Sequence, residues 1–206
     1  FVDSKATTSN SLVIGLNQQE VCATLHGFAK MNAKWDDMSD ALKFTLLSCV
    51  TNLHNMGALC LACTVYSLGI LDANWESLPP GIRAILLQSA QQSTLRDQTM
   101  ANVVYGLSTM EARWDRLEPE WTSLIIDNLM RKDSFSEDVP QHIANTIWGL
   151  AKMDVTWNDT PYKSLIEAFI RCKDNFNCQE TSNVFYGIAW MDVSWDSLDS
   201  LFKVAL

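Results

Sequence analysis

The chain has 206 residues, 48% hydrophobic and 19% charged, and its 24 acids against 15 bases give a net charge of -9. A chain this apolar is not an intrinsically disordered segment, and its longest apolar runs are too short for a transmembrane helix. The acidity argues against a general polyanion binder, because phosphate contacts need Lys and Arg.

In chain order, residues 1–17 read as an N-terminal extension or a partial helix, and residues 18–206 as one helical-repeat array. The first residue is Phe1, and no cationic stretch followed by an apolar core appears, so no secretory or other targeting segment is visible. The last residues, from Phe202 to Leu206, fall in the middle of a predicted helix. The expectation is that a targeting segment has been removed or that the chain is a piece of something longer.

The array is read from its tryptophans. Trp35, Trp75, Trp114, Trp157 and Trp195 are spaced 40, 39, 43 and 38 residues apart, and each closes a similar segment. The fourth segment runs Ala144-Asn-Thr-Ile-Trp-Gly-Leu-Ala-Lys-Met-Asp-Val-Thr-Trp157, and the fifth Ser182-Asn-Val-Phe-Tyr-Gly-Ile-Ala-Trp-Met-Asp-Val-Ser-Trp195. The second, from Ala62 to Trp75, is the most diverged. Self-similarity at this period is the signature of a helical repeat. The predicted fold is all-α, an α-solenoid of about five two-helix repeats of 38–43 residues.

In each unit the segment before the Trp is the end of helix A. A polar residue follows the Trp, and Pro79-Pro80, Pro119 and Pro161 fit the first turn of helix B, where a missing N–H costs nothing. Helix B carries apolar spacing: Ala41, Phe44, Leu46, Leu47 and Val50 in the first unit, and Trp121, Leu124, Ile125, Leu129 and Met130 in the third. Such a pair cannot bury both faces alone, and stacking on its neighbours does so.

Counting back from each Trp at helical pitch puts four helix-A positions in one narrow arc: minus 16, minus 12, minus 9 and minus 5. They hold Gln98, Asn102, Tyr105 and Thr109 in the third unit, Gln141, Asn145, Trp148 and Lys152 in the fourth, and Gln179, Asn183, Tyr186 and Trp190 in the fifth. The first unit has Gln19, Ala23, His26 and Lys30, and the second Leu59, Cys63, Tyr66 and Ile70. The rest of helix A is apolar or small (Ala101, Val103, Val104, Leu107, Ser108, Met110). An amide–amide–aromatic stripe therefore recurs on the face not needed for the core. It reads in two ways. Aromatics can stack on bases while amides bond their edges, or the amides can bond one another between repeats while the aromatics fill the inter-helix groove. The variable column holding Lys30, Ile70, Thr109, Lys152 and Trp190 is the better candidate for partner contact. The repeated Trp is assigned to packing.

No nucleophile constellation stands out. His26 lies in the aromatic column, His54 in an inter-helix loop and His142 at a helix start. The spacing of Cys60 and Cys63 suits a metal ligand pair, but no second pair accompanies it, so both read as small core hydrophobes. The six cysteines lie in apolar helical stretches and read as reduced thiols, which favours a reducing compartment. No Gly-rich phosphate loop is present; the recurring Gly27, Gly106, Gly149 and Gly187 form one repeat column suited to close helix approach. The reading is non-enzymatic, with no cofactor, no metal site, no small-molecule substrate and no membrane insertion.

The unit resembles the octotricopeptide repeat, or a close relative among the organellar helical-repeat proteins, of algal or protist type. That repeat centres on a Leu-Ala-Asn-x-Leu-Trp-Ala-Leu-Ala-Lys-Leu/Met-Gly core, which Ile143 to Asp154 match nearly position for position. Leu78-Pro79-Pro80 and Leu117-Glu118-Pro119-Glu120-Trp121 echo the family's Pro-rich start of helix B, and the resemblance covers residues 18 to 198. It implies a mitochondrial or plastid α-solenoid that binds single-stranded RNA in organellar gene expression. The alternative it implies is a structural scaffold that binds protein subunits of a large organellar complex, such as a ribosome or a photosynthetic or respiratory assembly.

Overall fold

The structure, a computed structural model, describes residues 16–51, 56–131, 135, 139–159, 162–198 and 200–205. Most of the N-terminal extension, His54 and Pro161 lie outside the described residues. Within them the chain is all-helical, with ten α-helices and no strand. These are α1 (Gln18–Lys30), α2 (Asp40–Thr51), α3 (Ala58–Ile70), α4 (Pro80–Gln91), α5 (Asp97–Thr109), α6 (Pro119–Leu129), α7 (Pro140–Lys152), α8 (Tyr162–Cys172), α9 (Cys178–Trp190) and α10 (Ser200–Ala205).

The odd-numbered helices are the predicted A helices, and each starts and stops for a local reason. Asn17 and Asn177 cap α1 and α9 through capping boxes with Glu20 and Glu180. The A helices end on a left-handed residue three before each Trp: Asn32, Asp72, Glu111, Asp154 and Asp192 have φ between 56° and 62°. Asn and Asp tolerate this conformation better than other side chains. The next residue's N–H then turns back onto the helix: Ala73 N–H reaches Leu68 O at 3.0 Å, Ala112 N–H reaches Leu107 O at 3.1 Å and Val155 N–H reaches Leu150 O at 3.1 Å. Ala73, Ala112 and Val155 are themselves buried, which adds the apolar contact usual at such a helix end. A short 3-10 turn opens at the Trp in the later units, as in Trp75–Ser77, and helix B follows with Pro80 or Pro119 at its first position.

The helices pack in adjacent pairs: α1 on α3, α3 on α5, α5 on α7 and α7 on α9, with α2 on α4, α4 on α6 and α8 on α10 behind them. The A-helix contacts are much the closer. A Cβ on Gly106 would lie 2.6 Å from the Val65 carbonyl oxygen, and one on Gly149 2.8 Å from Val104 Cγ1, so glycine lets these backbones approach. By contrast, α4 and α6 leave an open cleft of about 510 Å³ lined by Gln91, Glu120, Asp127 and Asn128. Of the predicted core of the first helix B, Leu46 and Val50 are buried, but Ala41 and Phe44 are exposed, as is Met130 at the C-cap just past α6. Their apolar spacing is real; the behind-layer is too open to cover that side of it.

The Trp column does more than pack. Trp75 is fully buried and meets Trp121 edge-on at 6.1 Å. Its main-chain N–H, not the indole, also donates to Met110 O of the next unit at 2.8 Å; the main-chain N–H of Trp35 does the same to Leu71 O at 2.6 Å, that of Trp114 to Met153 O at 2.8 Å and that of Trp157 to Met191 O at 3.2 Å. Each acceptor is a helix-end carbonyl without an intrahelical donor, so one bond per unit satisfies it and fixes register. A second tie repeats beside it, from the residue before the Trp to the left-handed residue of the next unit. Lys34 pairs with Asp72, Asn74 Nδ2 donates to Glu111 at 3.1 Å, and Arg113 pairs with Asp154 at 2.9 Å.

Candidate partner-binding face

Side-by-side packing of the odd-numbered helices brings the predicted stripe onto one face. Val21 and Leu25 of α1, Val103 and Val104 of α5, and Ile143 and Ile147 of α7 face the core. That leaves the arc through the amide and aromatic positions half-buried or open. Gln98, Gln141 and Gln179 are exposed; Asn102, Asn145 and Asn183 are half-buried. Tyr105 and Trp148 are half-buried, while Lys30, Lys152, Tyr186 and Trp190 are exposed.

The aromatic column forms a continuous stack over three units. Tyr66 lies on Tyr105 with ring centres 5.7 Å apart, and Tyr105 on Trp148 at 5.2 Å. Burial in this stack, with Tyr66 beside it, pushes the Tyr105 phenol above its usual range. Lys152 Nζ stands 5.5 Å over the Trp148 ring. In the last unit Tyr186 turns to Trp190 on its own helix, with centres 5.2 Å apart. The aromatics thus fill the inter-helix groove as the second sequence reading expects. The amides do not follow it: among the described residues no hydrogen bond joins Asn102, Asn145 or Asn183, or their Gln partners, to one another or to a neighbouring helix. The side-chain donors and acceptors of these half-buried amides are thus not used within the described chain.

Charge is sorted between layers. The A helices carry only three acids, Glu20, Asp97 and Glu180, all in a first turn, and only Lys30 and Lys152 as cations, both in a last turn. Each sits where the helix dipole favours it. The central part of the face carries no Asp, Glu, Lys or Arg, and among the described residues the remaining acids lie on turns, other connecting segments and even-numbered helices. At the turn edge Lys152 joins Arg113 and Arg116 around a cavity of about 350 Å³ that Glu76, Glu111 and Asp154 also line, so charges there balance.

Two features were missed in the sequence. The ties between Lys34, Asn74 or Arg113 and the next unit's acid are visible there only as two complementary columns flanking the Trp. Cys60 and Cys63 are the other: both are half-buried rather than core, and for Cys63 the stripe register had already placed it in the amide column. Among the described residues no group of three or more His, Cys, Asp or Glu is placed to hold a metal ion, and no helix is long and apolar enough to cross a membrane. Comparison with protein-family models finds no match to the chain, and comparison with curated proteins finds none.

Proposed function

We propose that the chain is a non-catalytic α-solenoid of the octotricopeptide type, and that the face built by α1, α3, α5, α7 and α9 binds single-stranded RNA in mitochondrial or plastid gene expression. The observation that carries this reading is the row of unpaired, half-buried Asn102, Asn145 and Asn183 beside aromatic rings, on a face whose middle holds no acid. Amides bond base edges in both directions, as donors and acceptors, and aromatic rings supply stacking surface. Close A-helix packing against a splayed second layer supports a superhelix with the A helices on its inner side, the surface such arrays use for extended partners.

A second reading is a scaffold that docks protein subunits on the same face. It is favoured by the Tyr66–Tyr105–Trp148 stack, whose rings already cover one another, and by the presence of only two cations. Fluorescence anisotropy with an unstructured RNA at low salt separates the two. Binding that weakens at least tenfold in the combined variant Asn102→Ala, Asn145→Ala, Asn183→Ala, with the melting temperature held, supports RNA; three amide contacts at about 1 kcal/mol each are more than enough for that loss. No binding by the parent protein overturns it.

A further inference from the structure

The first two A helices differ from the others in carrying thiols at their contact. Cys22 of α1 and Cys63 of α3 occupy positions that hold Ala and Asn in the third and fourth units. Cys63 Sγ lies 3.8 Å from Cys22 O, and Cys22 Sγ lies 3.4 Å from Cys60 O, so the two side chains cross between the helices, each thiol set against the other helix's backbone. Cys22 is buried, and Cys63 is half-buried on the candidate face. The surroundings divide their roles. The Cys22 thiol and the Ser67 hydroxyl stabilise a thiolate on Cys63, with a smaller contribution from His26, and hold it below the usual thiol range despite partial burial. Cys22, facing that charge and buried, keeps its proton. Among the described residues His26 Nδ1 is buried without a partner beside this group.

We propose that Cys63 and Cys22 are a peroxide-sensitive pair that closes to a disulfide between the first two repeats. The Cys63 thiolate attacks a hydroperoxide oxygen, the O–O bond breaks, and hydroxide or alkoxide leaves, giving a sulfenic acid on Cys63. Cys22 sulfur then attacks that sulfur, the S–S bond forms, the S–O bond breaks, and water leaves with the Cys22 proton. Two electrons pass from the two sulfurs to the peroxide. The bond ties α1 to α3 across a loop of 40 intervening residues and withdraws a side chain from the partner face.

The test is to treat the folded protein with hydrogen peroxide, block remaining thiols, digest it and map the cross-links by mass spectrometry. The expected product is one Cys22–Cys63 bond, reversed by a dithiol reductant and accompanied by a rise of several degrees in melting temperature. Cys60→Ser keeps the bond, Cys63→Ser abolishes it, and in Cys22→Ala no disulfide forms and Cys63 oxidises more slowly, to sulfenic and then sulfinic acid, because it loses the thiol that stabilises its thiolate. A Cys60–Cys63 bond, or six thiols still free to alkylate after treatment, overturns the proposal. So does irreversible oxidation of Cys63 in the parent protein with Cys22 still reduced.

Discussion

The glycine column makes opposite predictions at two equivalent positions. At Gly106 an added methyl meets only backbone: Val65 O at 2.6 Å, Val65 C at 2.7 Å and Tyr66 N at 2.8 Å. No rotamer change relieves this, so α3 and α5 must separate by roughly half an ångström or more before contact becomes ordinary. Overpacking of that kind costs about 1–3 kcal/mol, against a gain of about 1 kcal/mol from replacing glycine in a helix. Because the nearest atoms are all backbone, the cost falls in the upper part of that range, about 2–3 kcal/mol, and Gly106→Ala destabilises by about 1–2 kcal/mol, or about 2–8 °C in melting temperature for a chain of this length. At Gly27 the same methyl meets nothing within 4 Å. Gly27→Ala keeps the helix gain and raises the melting temperature by about 2–4 °C. Circular dichroism melts of the two variants decide the matter. Equal shifts in the same direction would refute the claim that backbone contact between A helices sets this column.

The Trp column splits in the same way. Trp75→Ala removes a fully buried indole and its edge contact with Trp121 and costs about 3–5 kcal/mol, while Trp195→Ala, at a site 57% exposed, costs under about 1 kcal/mol; urea unfolding measures both. Arg113→Ala breaks a pair whose partners are 51% and 43% exposed, so it costs less than about 1 kcal/mol and the loss shrinks as salt rises. Tyr105 is raised in the folded state, so its contribution to stability is fully present below the unfolded tyrosine value and is lost as pH rises through the folded one. Absorbance titration of the four tyrosines should show a late phenolate step that disappears in Tyr105→Phe.

The repeat was legible in the sequence because its strongest constraints are local and recur. The left-handed helix end favours Asn or Asp at one column, with Glu111 the exception, close approach needs a small residue at another, and an indole closes each hairpin, buried at Trp35, Trp75 and Trp157. The stripe was legible because helical pitch alone separates Asn102 and Tyr105 from Val103 and Val104. Pairings between repeats were harder to read, since nothing within one unit marks Arg113 as the partner of Asp154. Phe44 and Met130 misled because periodicity reports an apolar face without saying whether a neighbour is close enough to cover it. Cys63 misled for a related reason. A thiol in an apolar helix reads as core unless the stripe register, which puts it level with Asn102, is given more weight than its chemistry.

The sorting of charge constrains how an RNA could lie on this face. The net charge of -9 repels a polyanion in general, yet the odd-numbered helices present only Lys30 and Lys152 and no acid beyond the first turns. Phosphates have few partners here, whereas bases have three amide positions and a row of rings. A bound strand must then turn its bases inward and leave its phosphates to solvent. Two lysines neutralising two phosphates on a single strand give a slope of log affinity against log salt near about -1.4. A slope several times steeper would mean that binding runs through cations elsewhere, such as Arg116 at the turn edge, and would remove the amide face from the interaction. A slope that falls to about -0.7 in Lys152→Gln, with affinity that collapses in the asparagine variants, would tie the interaction to this face and to base contacts.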